Sequence, residues 1–307
     1  MQNDKCVPTT STNTTTGVLY AVGSALAFGC MPIFAKIAYE GGANTTTVVF
    51  LRYFIALIFV SVVLFIKKID IKIEAKNLYK TIWIGIVGYF ITGLTLFMSY
   101  NYISVGLATM LHFIYPAIVM IFSRIIFKES LNSNKILALI LSIVGIYILI
   151  GFSECNLSIV GVLLALASGL SYASAVLGVN DSGIKSINYL VFTFYIYIFS
   201  SLTSLIYGLS TKQLNFHMNF TSIISIVVIA FVCTFLSVIF VTLSVRIIGP
   251  TNVSILSTLE PITSVILGIL IFRESFTISI TIGGLFILSS LYLVNKSLSK
   301  KEKRQRS

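Results

Sequence analysis

The chain has 307 residues, of which 57% are hydrophobic and only 10% charged, with a mean hydropathy of +0.99 and a net charge of +11. Values this apolar exclude an ordinary water-soluble domain of this length and put the chain in a lipid bilayer. The positive charge does not point to nucleic acid, because its Lys and Arg lie in short loops and a terminal tail beside apolar runs, where membrane orientation accounts for them.

The chain opens with a polar, Thr-rich segment, 1–16, that has weak charge and no small-residue cleavage site, so it reads as a retained tail and not as a removable leader. Apolar runs able to cross about 30 Å of hydrocarbon at roughly 1.5 Å per residue follow. They lie at 17–36, 45–66, 81–103, 106–127, 135–152, 158–178, 189–209, 221–245, 251–272 and 278–295. Ten transmembrane helices are therefore expected, with little chain left for a soluble domain. Cys6, Cys30, Cys155 and Cys233 are scattered, with no C-x-x-C and no pairing with His112 or His217, so neither a disulfide framework nor a metal site is expected.

Alternate loops should collect Lys and Arg on the cytoplasmic side. With the N-terminus in the cytoplasm, only Lys36, Arg52, Lys212 and Arg273 of the 21 basic residues fall on or near the opposite side. Both termini are thus predicted to be cytoplasmic. The basic end, 296–307, reads as a solvated tail that helps to fix topology.

Two stretches recur. FKES (127–130) and FRES (272–275) each follow an apolar run with a proline eleven residues before the phenylalanine (127 − 116 and 272 − 261). GVLYAVGSALAF from Gly17 and GVLLALASGLSY from Gly161 share six of twelve residues without gaps. The offsets, 145 and 144, are almost one register. The halves 17–152 and 158–295 therefore read as two five-helix repeats, and an odd helix number makes the second the inverse of the first. Inverted halves are the architecture of many secondary transporters, with the substrate site near the midplane between them.

The order and spacing of Lys36, LRYFIA with Arg52, LHFIYP with Pro116 and LSTLEP with Glu260 and Pro261 resemble the ten-helix EamA-type members of the drug/metabolite transporter superfamily over nearly the whole chain. That resemblance implies export of amino acids, related metabolites or small drugs, coupled to an ion gradient. It keeps open a role for Lys36 and Arg52 in an outer gate, whereas their position near helix ends makes snorkelling to the headgroups the first expectation.

Glu260 lies nine positions into its helix, roughly 14 Å deep and close to the midplane. A carboxylate there is costly and marks a pathway or relay, so it is the leading candidate for exchanging a proton against substrate. Pro261 and Pro116 disturb the carbonyls four residues back, those of Ser257 and His112, and mark candidate bends. Under the 145-residue offset His112 matches Ser257 and Tyr115 matches Glu260, so the halves share a scaffold but differ in chemistry. His112 is a candidate substrate ligand or proton carrier. Tyr89, Tyr100, Asn101, Tyr172 and Asn180 are further candidate lining residues, against ordinary packing or interhelical hydrogen bonding.

The reading is an all-α membrane protein that exports a small-molecule substrate as a secondary active transporter, amino acids ahead of cationic drugs. It needs no cofactor, metal or nucleic acid; its partners are membrane lipids and protons, and its place is the bacterial inner membrane. Nothing matches G-x-x-x-x-G-K-[ST], so energy comes from a gradient or a separate subunit. An intramembrane lipid-modifying enzyme would need a nucleophile and base, or a metal cluster, at helical spacing. H-E-x-x-H is absent and the two histidines are far apart. A passive channel stays open on composition.

Overall fold

The computed structural model describes residues 14–103, 105–150, 158–272 and 278–306, and among these every regular element is helical. The first half comprises α1 (Thr14–Gly29), α2 (Met31–Glu40), α3 (Thr45–Lys67), α4 (Ala75–Trp83), a π-helical segment (Ile84–Ile91), α5 (Thr92–Ser99), α6 (Val105–His112), α7 (Tyr115–Ile126) and α8 (Ser133–Ile150). The second comprises α9 (Ile159–Val179), α10 (Ser182–Ser186), α11 (Tyr189–Ser210), α12 (Phe220–Val228), a second π-helical segment (Ile229–Leu236), α13 (Ser237–Ile248), α14 (Pro250–Leu256), α15 (Leu259–Phe272) and α16 (Ile278–Arg306). Cys6, Cys155 and the end of FRES lie outside the described residues.

Polar residues set the helix starts. The side chains of Asn44, Ser158, Asp181, Asn188 and Asn219 each accept a backbone N–H from the first turn that follows. Between these starts the apolar runs form eight helical stretches long and apolar enough to cross a membrane, with Tyr115–Ile126 and Ser133–Ile148 as shorter apolar helices. The run 106–127 is broken at Phe113 and Ile114, and 251–272 at Ser257 and Thr258. Both breaks fall where a proline removes a donor and crowds the carbonyl four residues earlier. A further break at Cys30 precedes Pro32, near the start of α2.

The duplication is written into the backbone as well. The two π-helical segments start and end one repeat apart (229 − 84 and 236 − 91, each 145). The halves are interleaved: α1 packs on α13 as α9 packs on α5, α3 lies along α11, and α8 lies along α16. At one end of the bundle Lys80 bonds Asp181, Thr251 bonds Glu129, and Asn132 bonds Ser297. At the other, Asn44 and Thr46 bond Gln213, while Thr47 bonds Asn215.

Two glycines let helices approach the broken segments. A Cβ at Gly169 would stand 2.6 Å from the His112 carbonyl oxygen, and one at Gly29 would stand 2.8 Å from that of Glu260. Each broken helix is thus held by its own chain against a helix of the other half.

Candidate functional site

A cavity of about 90 Å³ lies among α1, α2, α3, α5, α6, α9 and α15, beside both helix breaks. Its chemistry comes from both halves. Glu260, directly after the break at Ser257 and Thr258, lines it with Pro261 and Ser264, and one Glu260 carboxyl oxygen is buried with no hydrogen-bond partner among the described residues. The break ahead of it is closed by the Glu260 N–H donating to the Ser257 carbonyl at 2.9 Å.

Facing the cavity from the first half is Arg52, which is 7% exposed and does not snorkel to the headgroups. Its guanidinium lies 4.3 Å from the Tyr53 ring centroid and 5.3 Å from that of Phe97, which is cation–π geometry. One Nη donates to the Tyr53 hydroxyl and the other to the Met31 thioether at 3.2 Å. The Tyr53 hydroxyl in turn donates to the Tyr89 carbonyl at 2.7 Å, inside the π-helical segment, where the altered ladder offers a carbonyl to a side chain. The guanidinium is therefore oriented by a chain of buried contacts.

On another wall His112 Nδ1 lies 2.8 Å from Ser168 Oγ of α9. Ser168 donates its proton to the Ala165 carbonyl at 2.6 Å, so the hydrogen of the His112 contact resides on Nδ1. His112 packs against Tyr115 and Tyr172 with centroids 5.4 and 5.6 Å away, and these two tyrosines meet edge to face at 4.9 Å. This is an interhelical hydrogen bond inside an aromatic cluster, with one edge on the cavity.

Of the residues singled out from the sequence, Glu260, His112, Arg52, Tyr89, Tyr100, Tyr172 and Pro261 come together on this cavity. Tyr115 and Ser257 are buried behind it, and Pro116 is buried at the start of α7. Asn101 is exposed in the turn after α5, Lys36 is exposed on α2, and Asn180 ends α9 beside a different pocket at the bundle end that holds Lys80 and Asp181. Periodicity placed these three within or near apolar runs but carried no information on which neighbour they face. Sequence reasoning missed Tyr53, Phe97, Thr92 and Gly93, of which only Tyr53 carried a signal, as the partner of Tyr197 at the repeat offset.

A cavity between two halves that share π-segments and proline breaks is the geometry of a transporter. The EamA-like transporter family matches residues 15–151 and again 159–296. The chain belongs to the EamA-like transporter family. It is similar to the uncharacterized transporter YvbV of Bacillus subtilis (strain 168), 29% identical over 210 residues that cover 66% of this chain and 67% of that protein. A crystal structure of a protein 13% identical superposes with a TM-score of 0.77 over 94% of this chain and 99% of its own, which shows a shared fold. As an EamA-family member the chain is a multi-pass integral membrane transporter of the drug/metabolite superfamily.

Proposed function

We propose that this EamA-family protein exports small metabolites from the cytoplasm, amino acids and related compounds first, by alternating access driven by an ion gradient. The observation that carries this reading is that Arg52 of the first half and Glu260 of the second line one buried cavity. A zwitterion presents a carboxylate and an ammonium, and a guanidinium and a carboxylate are the groups that complement them. An arriving ammonium group displaces a proton from the Glu260 carboxyl. Proton binding and substrate binding thus compete for one carboxyl, which couples the two fluxes.

The topology that goes with it is ten crossings in two inverted five-helix halves, 17–152 and 158–295, with both termini in the cytoplasm of a bacterial cell. The bonds joining helix ends at each end of the bundle support two gates: Lys80–Asp181 and Thr251–Glu129 on the cytoplasmic side, and the Asn44, Thr46 and Thr47 contacts with Gln213 and Asn215 on the other. Ligand pockets usually measure several hundred Å³, so a cavity of about 90 Å³ fits a conformation closed on both sides.

One observation favours a second reading. Phe28, Tyr89, Phe97, Tyr100 and Tyr172 line the cavity together with Glu260, and aromatic faces in a site with a carboxylate suit an organic cation. Counterflow in sealed proteoliposomes tests both, with a panel of amino acids, nucleosides and cationic dyes. Exchange of labelled for unlabelled amino acid without a driving force is the expected result. Chemical change of the compound instead of exchange would replace transport with enzymatic action, and passage without exchange would indicate a channel.

A further inference from the structure

At the bundle end that holds Lys80 and Asp181 a second, polar pocket of about 570 Å³ opens between the halves. Lys128 and Glu129 line it from the first half; Lys185, Arg246 and Asn252 line it from the second. The ion pairs among the described residues are Lys72–Asp70, Lys80–Asp181 and Lys135–Glu129, and none includes Lys128, Lys185 or Arg246. The carboxylate of Glu129 is already engaged, by Lys135 Nζ at 2.7 Å and by Thr251 Oγ1 at 2.7 Å. The pocket is therefore lined by three cations and by one anion that is neutralised from behind.

The cations are placed differently. Arg246 is fixed, donating to the Ile187 and Ile184 carbonyls at 2.8 and 3.2 Å, with its Nε buried and without a hydrogen-bond partner among the described residues. Lys128 and Lys185 are exposed. Partial burial, and after it the nearby Arg246 charge, push the Lys185 amine below its ordinary range. Backbone lies open beside them at Gly249, where a Cβ would meet nothing within 4 Å.

This pocket is in line with the cavity. Asn180 and Asn252 line it, and eight residues along the same segments, roughly 12 Å at about 1.5 Å per residue, Tyr172 and Glu260 line the cavity. A solute entering from this end meets the cations first. Focused by low-dielectric walls, such a field raises the local concentration of anions.

We propose that this basic mouth receives a carboxylate or phosphate group of the transported compound at the cytoplasmic face, which makes the substrate class anionic or zwitterionic and excludes a simple organic cation. This rests on the transport reading above and narrows it. Arg52 is the second station for the same anionic group, deeper in the protein.

The test separates the mouth from transport. Full-length protein in phosphatidylcholine nanodiscs is dialysed to equilibrium against radiolabelled inorganic phosphate and, separately, acetate. Saturable retention is expected, falling about tenfold in Lys128→Gln/Lys185→Gln and weakening as salt rises. Both lysines are exposed, and monodisperse elution checks the fold, with Lys185→Gln alone as the second variant. No saturable retention by the wild type, or equal retention by the variants, would overturn the site. Discs containing phosphatidylglycerol should retain phosphate equally; complete displacement by that lipid would assign the site to headgroups and overturn the proposal. In proteoliposomes, amino or phosphorylated acids should exchange more slowly in the double variant, whereas exchange of cationic dyes alone would overturn the substrate class. Retention with no exchange of any solute would instead defeat the transport reading, and with it the substrate class, while leaving the anion site standing.

Discussion

Tyr53 and Tyr197 face one another across the interface between the halves, with ring centroids 6.4 Å apart. Each donates its hydroxyl to a carbonyl in the π-helical segment of its own half, Tyr53 to Tyr89 at 2.7 Å and Tyr197 to Thr234 at 2.9 Å. Donors and acceptors are related by the repeat offset (197 − 53 is 144 and 234 − 89 is 145). The pair ties both irregular segments to the centre of the bundle, and only the Tyr53 side touches Arg52.

That asymmetry separates structure from transport. Tyr197→Phe should remove the hydroxyl donor from the Thr234 carbonyl, which keeps the Ser237 N–H, and cost about 1 kcal/mol, read as a lower unfolding temperature in detergent with exchange retained. Tyr53→Phe should cost a similar amount and also slow exchange, because Arg52 loses the hydroxyl that orients it. Equal effects of the two changes on exchange would remove Tyr53 from the site.

Gly93 controls the same guanidinium by its lack of a side chain. A Cβ there would stand 2.6 Å from Arg52 Nη2. Gly93→Ala should therefore push Arg52 off its position while the flexible end of that side chain absorbs the clash, so exchange should drop with little loss of stability. Arg52→Lys should likewise fail to support full exchange, since an ammonium lacks the planar fork. Wild-type exchange in both variants would argue against a role for Arg52.

Glu260→Gln keeps size and hydrogen bonding but removes the titrating proton. Net proton-driven export should fail in proteoliposomes, while counterflow should largely survive with its pH dependence flattened. Glu260→Asp should retain partial coupling. Unchanged pH-dependent net transport in Glu260→Gln would leave this carboxyl as a structural group.

The Lys80–Asp181 contact predicts an acid-sensitive gate. Burial raises the Asp181 carboxyl, but the Lys80 ammonium and the Gly183 and Ile184 backbone N–H groups outweigh it and hold the carboxyl below its ordinary value of 3.8. A depressed carboxyl contributes stability that is complete above the unfolded value and lost as pH falls through the folded one. Both side chains are about one-third exposed, so the contribution is under about 1 kcal/mol. Lys80→Gln should shrink the loss of thermal stability on acidification below the ordinary carboxylate range, and an unchanged pH profile would show that the pair contributes nothing.

Topology is testable by labelling. Ser130→Cys and Ser275→Cys should react with an impermeant thiol reagent from opposite sides of the membrane, Ser130→Cys only from the cytoplasm. Labelling of both from one side would contradict the inverted arrangement and the two-gate mechanism.

Much of this protein was legible before any coordinates. Membrane residence follows from composition, because so apolar a chain has too few polar groups to stay in water. Helix follows from the bilayer, which leaves backbone groups no other partners. The proline breaks followed from covalent chemistry, and the duplication followed from residues still shared at offsets of 144 and 145. Glu260 stood out because a carboxylate in an apolar run is costly wherever it points. The direction in which Arg52 points was different in kind: a long cation near a helix end reaches equally for headgroups or for a neighbouring helix, and only Tyr53, Phe97 and Met31, from three parts of the chain, decide for the interior. Asn101 and Asn180 looked no different from Tyr89 or Tyr172 in sequence, yet sit away from the cavity, as does Lys36. The periodicity of one helix states which residues share a face and not what lies opposite. The π-helical segments were not foreseen, because a shift of one hydrogen bond in the ladder leaves no side-chain periodicity to read. The sequence by itself determined that the chain spans a membrane as paired helical halves with one costly carboxylate inside. Tertiary structure alone decided which side chains meet Glu260 across the cavity, because that depends on packing between segments far apart in the chain, which local chemistry does not encode.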